Sequence, residues 1–300
     1  MGMNWVLLAL LSYAIWAVCN ILAKVIRDRH IRSSFSYTVL VGFIGLVSLA
    51  VIPFTKFSIP PPGYLILAII TGMLYFLAIL PFLKALSMEE VSRVIPLWQM
   101  KPVFVLVLAW VLIGERLAAW DYAGFALILA GGMIIQTRTF KGLLRPGKAF
   151  YLMLFSSIVF AIIYTLVKYL YLHIPYAEGF VFTRIGTFLA SVLALAFFSK
   201  QRKKFTKTVR EVRARSGMIL LSTEILNIIA VGISYYAITL GPISIISVFE
   251  GFQPAFVLLY AIILSVWFPE MLREHIDRKT LLTKIAAIAL MTTGLYFIYV

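Results

Sequence analysis

Four charged side chains sit deep inside apolar runs: Lys101, Arg184, Glu224 and Glu250. A charge in a bilayer core is costly and normally faces a bundle interior or a wet cavity, so these four are the first candidates for chemistry. Each belongs to a group of polar residues at intervals of three and four, the spacing that keeps side chains on one helical face. The groups are Trp98 with Lys101; Arg184, Thr187 and Ser191; Glu224, Asn227, Ser234 and Tyr235; and Ser244, Ser247, Glu250 and Gln253. The candidate substrate-binding set is therefore Trp98, Lys101, Arg184, Glu224, Asn227, Tyr235, Ser247, Glu250 and Gln253, on faces expected to converge on one cavity. Two acids and two bases also sum to zero, so buried ion pairs that only fix helix packing account for the same residues. The two readings are compatible, because a pair can open when a substrate arrives.

Two prolines follow these stripes. Pro102 and Pro254 each remove a backbone hydrogen bond and crowd the carbonyl four residues earlier, that of Trp98 and of Glu250. A freed carbonyl at membrane depth is tolerated inside protein or beside water. Pro102 and Pro254 are therefore candidate hinges, with curvature for packing as the alternative. The two proline segments share a register. At an offset of about 152 residues, Ala85 falls on Ala237, Ser92 on Ser244, Pro102 on Pro254, and Phe104 to Leu106 on Phe256 to Leu258. The segment openings echo at an offset of about 144, with Ser12, Ala17, Leu22 and Lys24 on Ser156, Ala161, Leu166 and Lys168. This is the mark of an internal repeat. It divides the chain into units 1–142 and 143–300, the second enlarged by a basic loop at 200–215. Five spans per unit, an odd number, require the second unit to lie inverted, an architecture of secondary transporters with a site where the repeats meet.

Composition sets the solvent. Hydrophobic residues make up 62% of the chain and charged ones 13%, with a mean hydropathy of +1.00, which excludes a soluble globular domain. Ten apolar runs, at 3–26, 35–55, 63–86, 91–113, 118–137, 149–172, 177–198, 217–240, 242–267 and 280–299, are each long enough to cross roughly 30 Å of hydrocarbon. The fold class is an all-α polytopic membrane protein of ten transmembrane helices in two inverted five-helix repeats. The first run continues past Ile15 without a basic flank, so it reads as a span and not as a cleaved signal. The net charge of +15 resides in short loops, which points to membrane orientation and away from nucleic acid. Lys200 to Arg215 is expected to form an amphipathic helix on lipid headgroups. Cys19 is alone, and His30, His173 and His275 stand apart, so neither a disulfide nor a metal site is expected. No phosphate-cradling glycine loop is present. No cofactor, no catalytic group and no ATP drive are expected; coupling is to a gradient or absent. Glu115 and Glu270 lie at helix ends as anchors or gate contacts, and Lys24 and Lys168 either snorkel to the interface or take part in a gate.

The order of these motifs resembles a family. Trp16, Ala17, Asn20 and Lys24 are similar to the first-helix signature of EamA-type members of the drug/metabolite transporter superfamily. So is the run from Phe82 to Leu86 through Pro102 to Gly114, Glu115, Arg116, Leu117, Gly124, Gly131 and Gly132, repeated by Tyr236 to Ile238, Pro254, Pro269, Glu270 and Gly294. The resemblance implies ten helices in two inverted repeats and transport of small metabolites, often export, without naming a substrate. Two departures stand out. Arg184 has Leu40 at its place in the first half, and the spacing before Glu270 is about three residues longer than before Glu115.

The expected function is a secondary transporter in the cell membrane that moves a small polar or amphipathic metabolite, amino-acid-like and outward, by alternating access. A flippase for a lipid head group or lipid-linked sugar and a non-transporting scaffold subunit are the alternatives. The expected partners are a small-molecule substrate, protons and the bilayer, for a monomer or homodimer. Proton coupling would run through Glu224 or Glu250, since desolvation and a neighbouring cation pull a carboxylate's titration in opposite directions. Lys and Arg crowd the odd-numbered loops, so the positive-inside bias puts those loops in the cytoplasm and both termini outside, the reverse of what the resemblance implies.

Overall fold

Backbone N–H and C=O groups find no water in hydrocarbon, so a chain this apolar must satisfy them within helices. The computed structural model describes residues 4–29, 33–89, 91–136, 147–211, 214–267 and 278–299. Among these residues there is no strand, and ten helical segments are long and apolar enough to cross a membrane. They are α1 (Asn4–Arg29), α2 (Ser34–Ile44) with its 3-10 extension (Gly45–Phe54), α3 (Pro62–Met88), α4 and α5 (Val91–Trp98 and Met100–Ile113), α6 (Ala119–Gln136), α7 (Lys148–Tyr171), α8 (Tyr176–Phe197), α10 (Ala214–Leu240), α11, a 3-10 turn and α12 (Ile243–Val248, Phe249–Phe252 and Gln253–Trp267), and α13 (Arg278–Tyr299). The remaining helix, α9 (Ser199–Glu211), is the expected basic helix. It packs on the bundle through Phe205, whose ring centroid lies 6.5 Å from that of Phe43.

Three spans are less regular than expected. The second turns into a ten-residue 3-10 segment at Gly45–Phe54 that contains Pro53, a long run for a helix of poorer hydrogen-bond geometry. The two proline spans break one turn before the proline. At Gln99 the N–H reaches back only to Pro96 O, 3.2 Å away, and at Phe249–Phe252 the chain tightens into a 3-10 turn. The cause is shared: Pro102 and Pro254 lack the N–H that would bind the carbonyls of Trp98 and Glu250.

The core lies where α1, α5, α6, α7, α8, α10 and α11 meet, around Tyr13, Ile128, Ile163, Ile245 and Phe249. The tightest crossing is between α3 and α8. A Cβ on Gly72 would lie 1.9 Å from Thr183 O, and one on Gly186 would lie 2.1 Å from Ile69 O, so the two backbones touch. This brings Tyr75 on α3 against Arg184 on α8. Helices α2 and α10 approach each other far less.

Candidate functional site

The break in each proline span presents a charge to the bundle interior. Lys101 on α5 is 1% exposed and Glu250 in the 3-10 turn is 8% exposed. They form an ion pair, and the Trp98 indole N–H donates to the other carboxylate oxygen. Lys101 Nζ also faces two rings, 5.0 Å from the centroid of Trp98 and 4.4 Å from that of Tyr164. Phe82 and Phe160 hold the Trp98 indole in place, with centroids 4.6 and 4.9 Å away. Two helices that break at the same register thus meet through opposite charges.

Arg184 is different. It is 4% exposed on α8, enclosed by Tyr75, Phe180 and Tyr235 with guanidinium-to-centroid distances of 5.5, 5.5 and 5.9 Å. Its Nε has no hydrogen-bond partner. It borders a crevice too narrow to admit a water molecule, walled by Thr71, Gly72, Tyr75, Thr183, Thr187 and Tyr235. The neighbouring stripe residues have turned to their own helix or across it. Thr187 Oγ1 donates to Gly72 O at 3.0 Å, and Ser191 Oγ donates to Thr187 O at 3.0 Å.

Glu224 on α10, 3% exposed, heads a third group. Tyr37 OH donates to one carboxylate oxygen at 2.7 Å and Asn227 Nδ2 to the other at 3.1 Å. The Asn227 oxygen accepts in turn from the indole N–H of Trp16 at 2.8 Å. This hydrogen-bonded chain joins α2, α10 and α1. Tyr164 and Tyr75 lie between the three groups: Tyr164 neighbours Tyr13, Tyr75, Ser234 and Glu250, and Tyr75 neighbours Arg184, Glu224, Asn227 and Tyr235.

Seven of the nine sequence-predicted residues, Trp98, Lys101, Arg184, Glu224, Asn227, Tyr235 and Glu250, therefore fall in this buried polar band. Ser247 does not present its hydroxyl to the band; it is sealed and donates to Ser244 O at 2.7 Å. Gln253 is half-buried at the start of α12. Tyr13, Tyr37, Tyr75, Tyr164 and Trp16 were missed as ligating groups. In an apolar run they read as lipid-soluble bulk, although a buried hydroxyl or indole N–H requires a partner, and that requirement was the available signal.

A separate arrangement secures one end of the bundle. Gly114 at the end of α5 has a φ of 68°, a left-handed conformation that reverses the chain and aims Glu115 at the start of α11. The two Glu115 oxygens accept from Ile243 N–H at 2.8 Å and Ser244 N–H at 2.9 Å. Lys168 Nζ donates to Ile238 O at 2.7 Å and Gly241 O at 2.9 Å on the other side of the same turn. An anion thus binds a helix N-terminus and a cation a helix C-terminus, each in the sense that the helix dipole favours. Lys168 is turned inward onto this turn and does not snorkel outward. Glu270 and the side chain of Lys24, their expected counterparts, lie outside the described residues.

Residues 3–137, just under half of the chain, match the EamA-like transporter family. Over those residues the chain is similar to that family, which supports a membrane transporter resembling the EamA type. A protein from Sinorhizobium sp. bearing the name "Uncharacterized transporter in cobO 3'region" is 29% identical over 140 residues, which cover 45% of this chain and 98% of that protein. One crystal structure of a protein superposes with a TM-score of 0.68 at 15% identity, covering 99% of this chain and 96% of its own. That likeness establishes a shared fold over the whole length. The EamA motif residues now have physical meaning. Trp16 is the indole that binds Asn227, and Gly114 with Glu115 forms the turn-binding end of α5. Gly124 and Gly294 let α6 and α13 meet backbone to backbone, since a Cβ on either would lie 2.5 or 2.7 Å from the other's carbonyl oxygen.

Proposed function

We propose that this EamA-like chain is a secondary transporter that carries a small polar or amphipathic metabolite outward through the buried polar band by alternating access. The observation that carries the reading is the Lys101–Glu250 pair, formed between two spans that break at corresponding positions. Trp98, Lys101, Arg184, Glu224, Asn227, Tyr235 and Glu250 are the proposed substrate-facing set, with Pro102 and Pro254 as the hinges. The division into units 1–142 and 143–300, the second inverted, is part of the same proposal. Uneven packing supports motion. In the 152-residue register Gly72 of α3 corresponds to Glu224 of α10, and in the 144-residue register Gly186 of α8 corresponds to Gly42 of α2. The first crossing is glycine on glycine and closed, whereas at the second Glu224 reaches α2 only through Tyr37, and Gly42 packs on Ser191 of α8 instead. Equivalent contacts closed on one side and open on the other are what one state of an alternating-access cycle requires.

Proton coupling is assigned to Glu224. Glu250 is committed to Lys101, while Glu224 is held by neutral donors and has no bonded cation among the described residues. The crevice is walled by α3, α8 and α10, which favours a soluble solute over a lipid head group, and the unpartnered Arg184 favours a site over a scaffold. The proposed location is the plasma membrane with odd loops inside and both termini outside, the basic α9 lying on the inner surface.

The test is a flux screen. Vesicles with the reconstituted protein are loaded with a metabolite extract, and efflux is compared with that of protein-free vesicles, with and without an imposed pH gradient. Selective loss of one solute class is expected. Retention of every solute would overturn the transport reading, and gradient-independent flux that survives Glu224→Gln would overturn the coupling. A C-terminal reporter active only in the cytoplasm should stay silent.

A further inference from the structure

Of the four deep charges, Arg184 alone shows no ionic or hydrogen-bonding partner among the described residues, and its buried Nε is unpaired. Glu250 is taken by Lys101 and Trp98, and Glu224 by Tyr37 and Asn227. The rings of Tyr75, Phe180 and Tyr235 hold the guanidinium in place, and such contacts offset part of its desolvation. They do not neutralise it. Glu224 acts on it only from a distance, its oxygens held by Tyr37 and Asn227, and a buried cation with no bonded counter-ion is a costly state that an incoming anion relieves. The surrounding hydroxyls do not compete for that role: Thr71, Thr183 and Thr187 have donated to main-chain oxygens of Leu67, Phe180 and Gly72. A further donor nearby, Tyr171 OH, is buried without a partner among the described residues. Tyr171 packs its ring 6.1 Å from that of Tyr235. The local surplus is of hydrogen-bond donors.

We infer that the crevice at Arg184 is a binding site for a single carboxylate, so that the solute carried is a small organic monoanion. The inference rests on the transport reading for the word "carried", but not for the site. One free cation matches one negative charge; a dianionic phosphate would leave a charge uncompensated in a low-dielectric interior. The guanidinium fork fits the two oxygens of a carboxylate in a plane, a geometry that an ammonium cannot reproduce. The Lys101–Glu250 pair is already balanced, so it adds no net charge beside the solute.

The experiment uses the full chain in lipid nanodiscs and follows the thermal unfolding midpoint against ligand concentration. The probes are propionate and phenylacetate, their neutral amides propionamide and phenylacetamide, and inorganic phosphate. Both carboxylates should raise the midpoint in a dose-dependent way, while the amides and phosphate at matched concentrations leave it in place. Arg184→Gln should weaken carboxylate binding by about tenfold to a hundredfold, the worth of a charge-assisted hydrogen bond. Arg184→Lys should recover only part of it, and Lys207→Gln, on the exposed face of α9, should bind as the unaltered chain does. Amides that bind as well as acids, phosphate that binds better, or an Arg184→Gln chain with unchanged affinity would each overturn the inference. If Arg184→Gln does not fold, the acid-against-amide comparison on the unaltered chain still decides. The two readings fail separately. Vesicles that move only neutral or cationic solutes remove the monoanion and keep transport. Carboxylate binding without flux of any solute keeps the site and removes transport.

Discussion

Removing one partner of the Lys101–Glu250 pair should have unequal consequences depending on which partner goes. In Lys101→Met the carboxylate of Glu250, 8% exposed, keeps only the Trp98 indole as donor. A lone buried charge of this kind costs about 3–5 kcal/mol. In Glu250→Gln the amide oxygen can still accept from Trp98 or Lys101, and Lys101 still faces the rings of Trp98 and Tyr164. Each cation–π contact is worth about 0.5–2 kcal/mol, so this variant should lose only about 1–3 kcal/mol. The double variant carries no uncompensated charge and, replacing a buried pair by groups of similar size, should lie within about 2 kcal/mol of the unaltered chain. A coupling of at least about 2 kcal/mol between the two positions follows. Reversible unfolding of all four proteins in one lipid composition measures it. If the two single losses simply add in the double variant, the pair carries no coupling and this account of the site is wrong.

Gly72→Ala should force α3 and α8 apart, because its methyl group would meet Thr183 O; a loss of about 1–3 kcal/mol or more is expected in the same unfolding assay. Glu115→Gln and Lys168→Met should loosen the α10–α11 turn without touching the polar band. In a Cys19→Ser background, a cysteine at the buried position Ser244 should be labelled faster by an impermeant maleimide in either variant than in the unaltered background. Carboxylate affinity should rise as pH falls, because protonating Glu224 removes the nearest negative charge acting on Arg184. The other groups facing Glu224 are Tyr37, Tyr75, Cys19 and Asn227, and Glu224→Gln should flatten the pH dependence at its high-affinity end.

The ten spans were legible in the sequence because bilayer thickness acts on every one of them alike. Both span breaks were legible too, since a proline withholds its N–H wherever it stands, and the breaks fall at the carbonyls of Trp98 and Glu250 as that chemistry requires. A common register placed Lys101 and Glu250 at one level, and the structure joins them. Pairing among the other charges was not legible. Counting two acids and two bases says nothing about which helix face a neighbour presents, and Glu224 turns to Tyr37 and Asn227 while Arg184 turns to three rings. Tyr13, Tyr37, Tyr75 and Tyr164, unlike Tyr235, were invisible for a related reason: a phenol scores as apolar in a hydropathy window, yet its hydroxyl behaves as a polar ligand once buried. The long 3-10 stretch of the second span has no local signal beyond Gly45 and Pro53.

The two residues that hold the α10–α11 turn grip only main-chain atoms: the amides of Ile243 and Ser244, and the carbonyls of Ile238 and Gly241. Every residue type offers a carbonyl and all but proline an amide, so the grip is blind to what the turn spells. Substitutions at Ile238, Ile243 and Ser244 can therefore drift, as far as this interaction is concerned, provided proline stays away from 243 and 244. Change at Glu115 or Lys168 has no such freedom. Ile238 and Ile243 are themselves buried in the core and a side chain on Gly241 would meet Trp5, so what limits the held segment is its packing and not the grip on it.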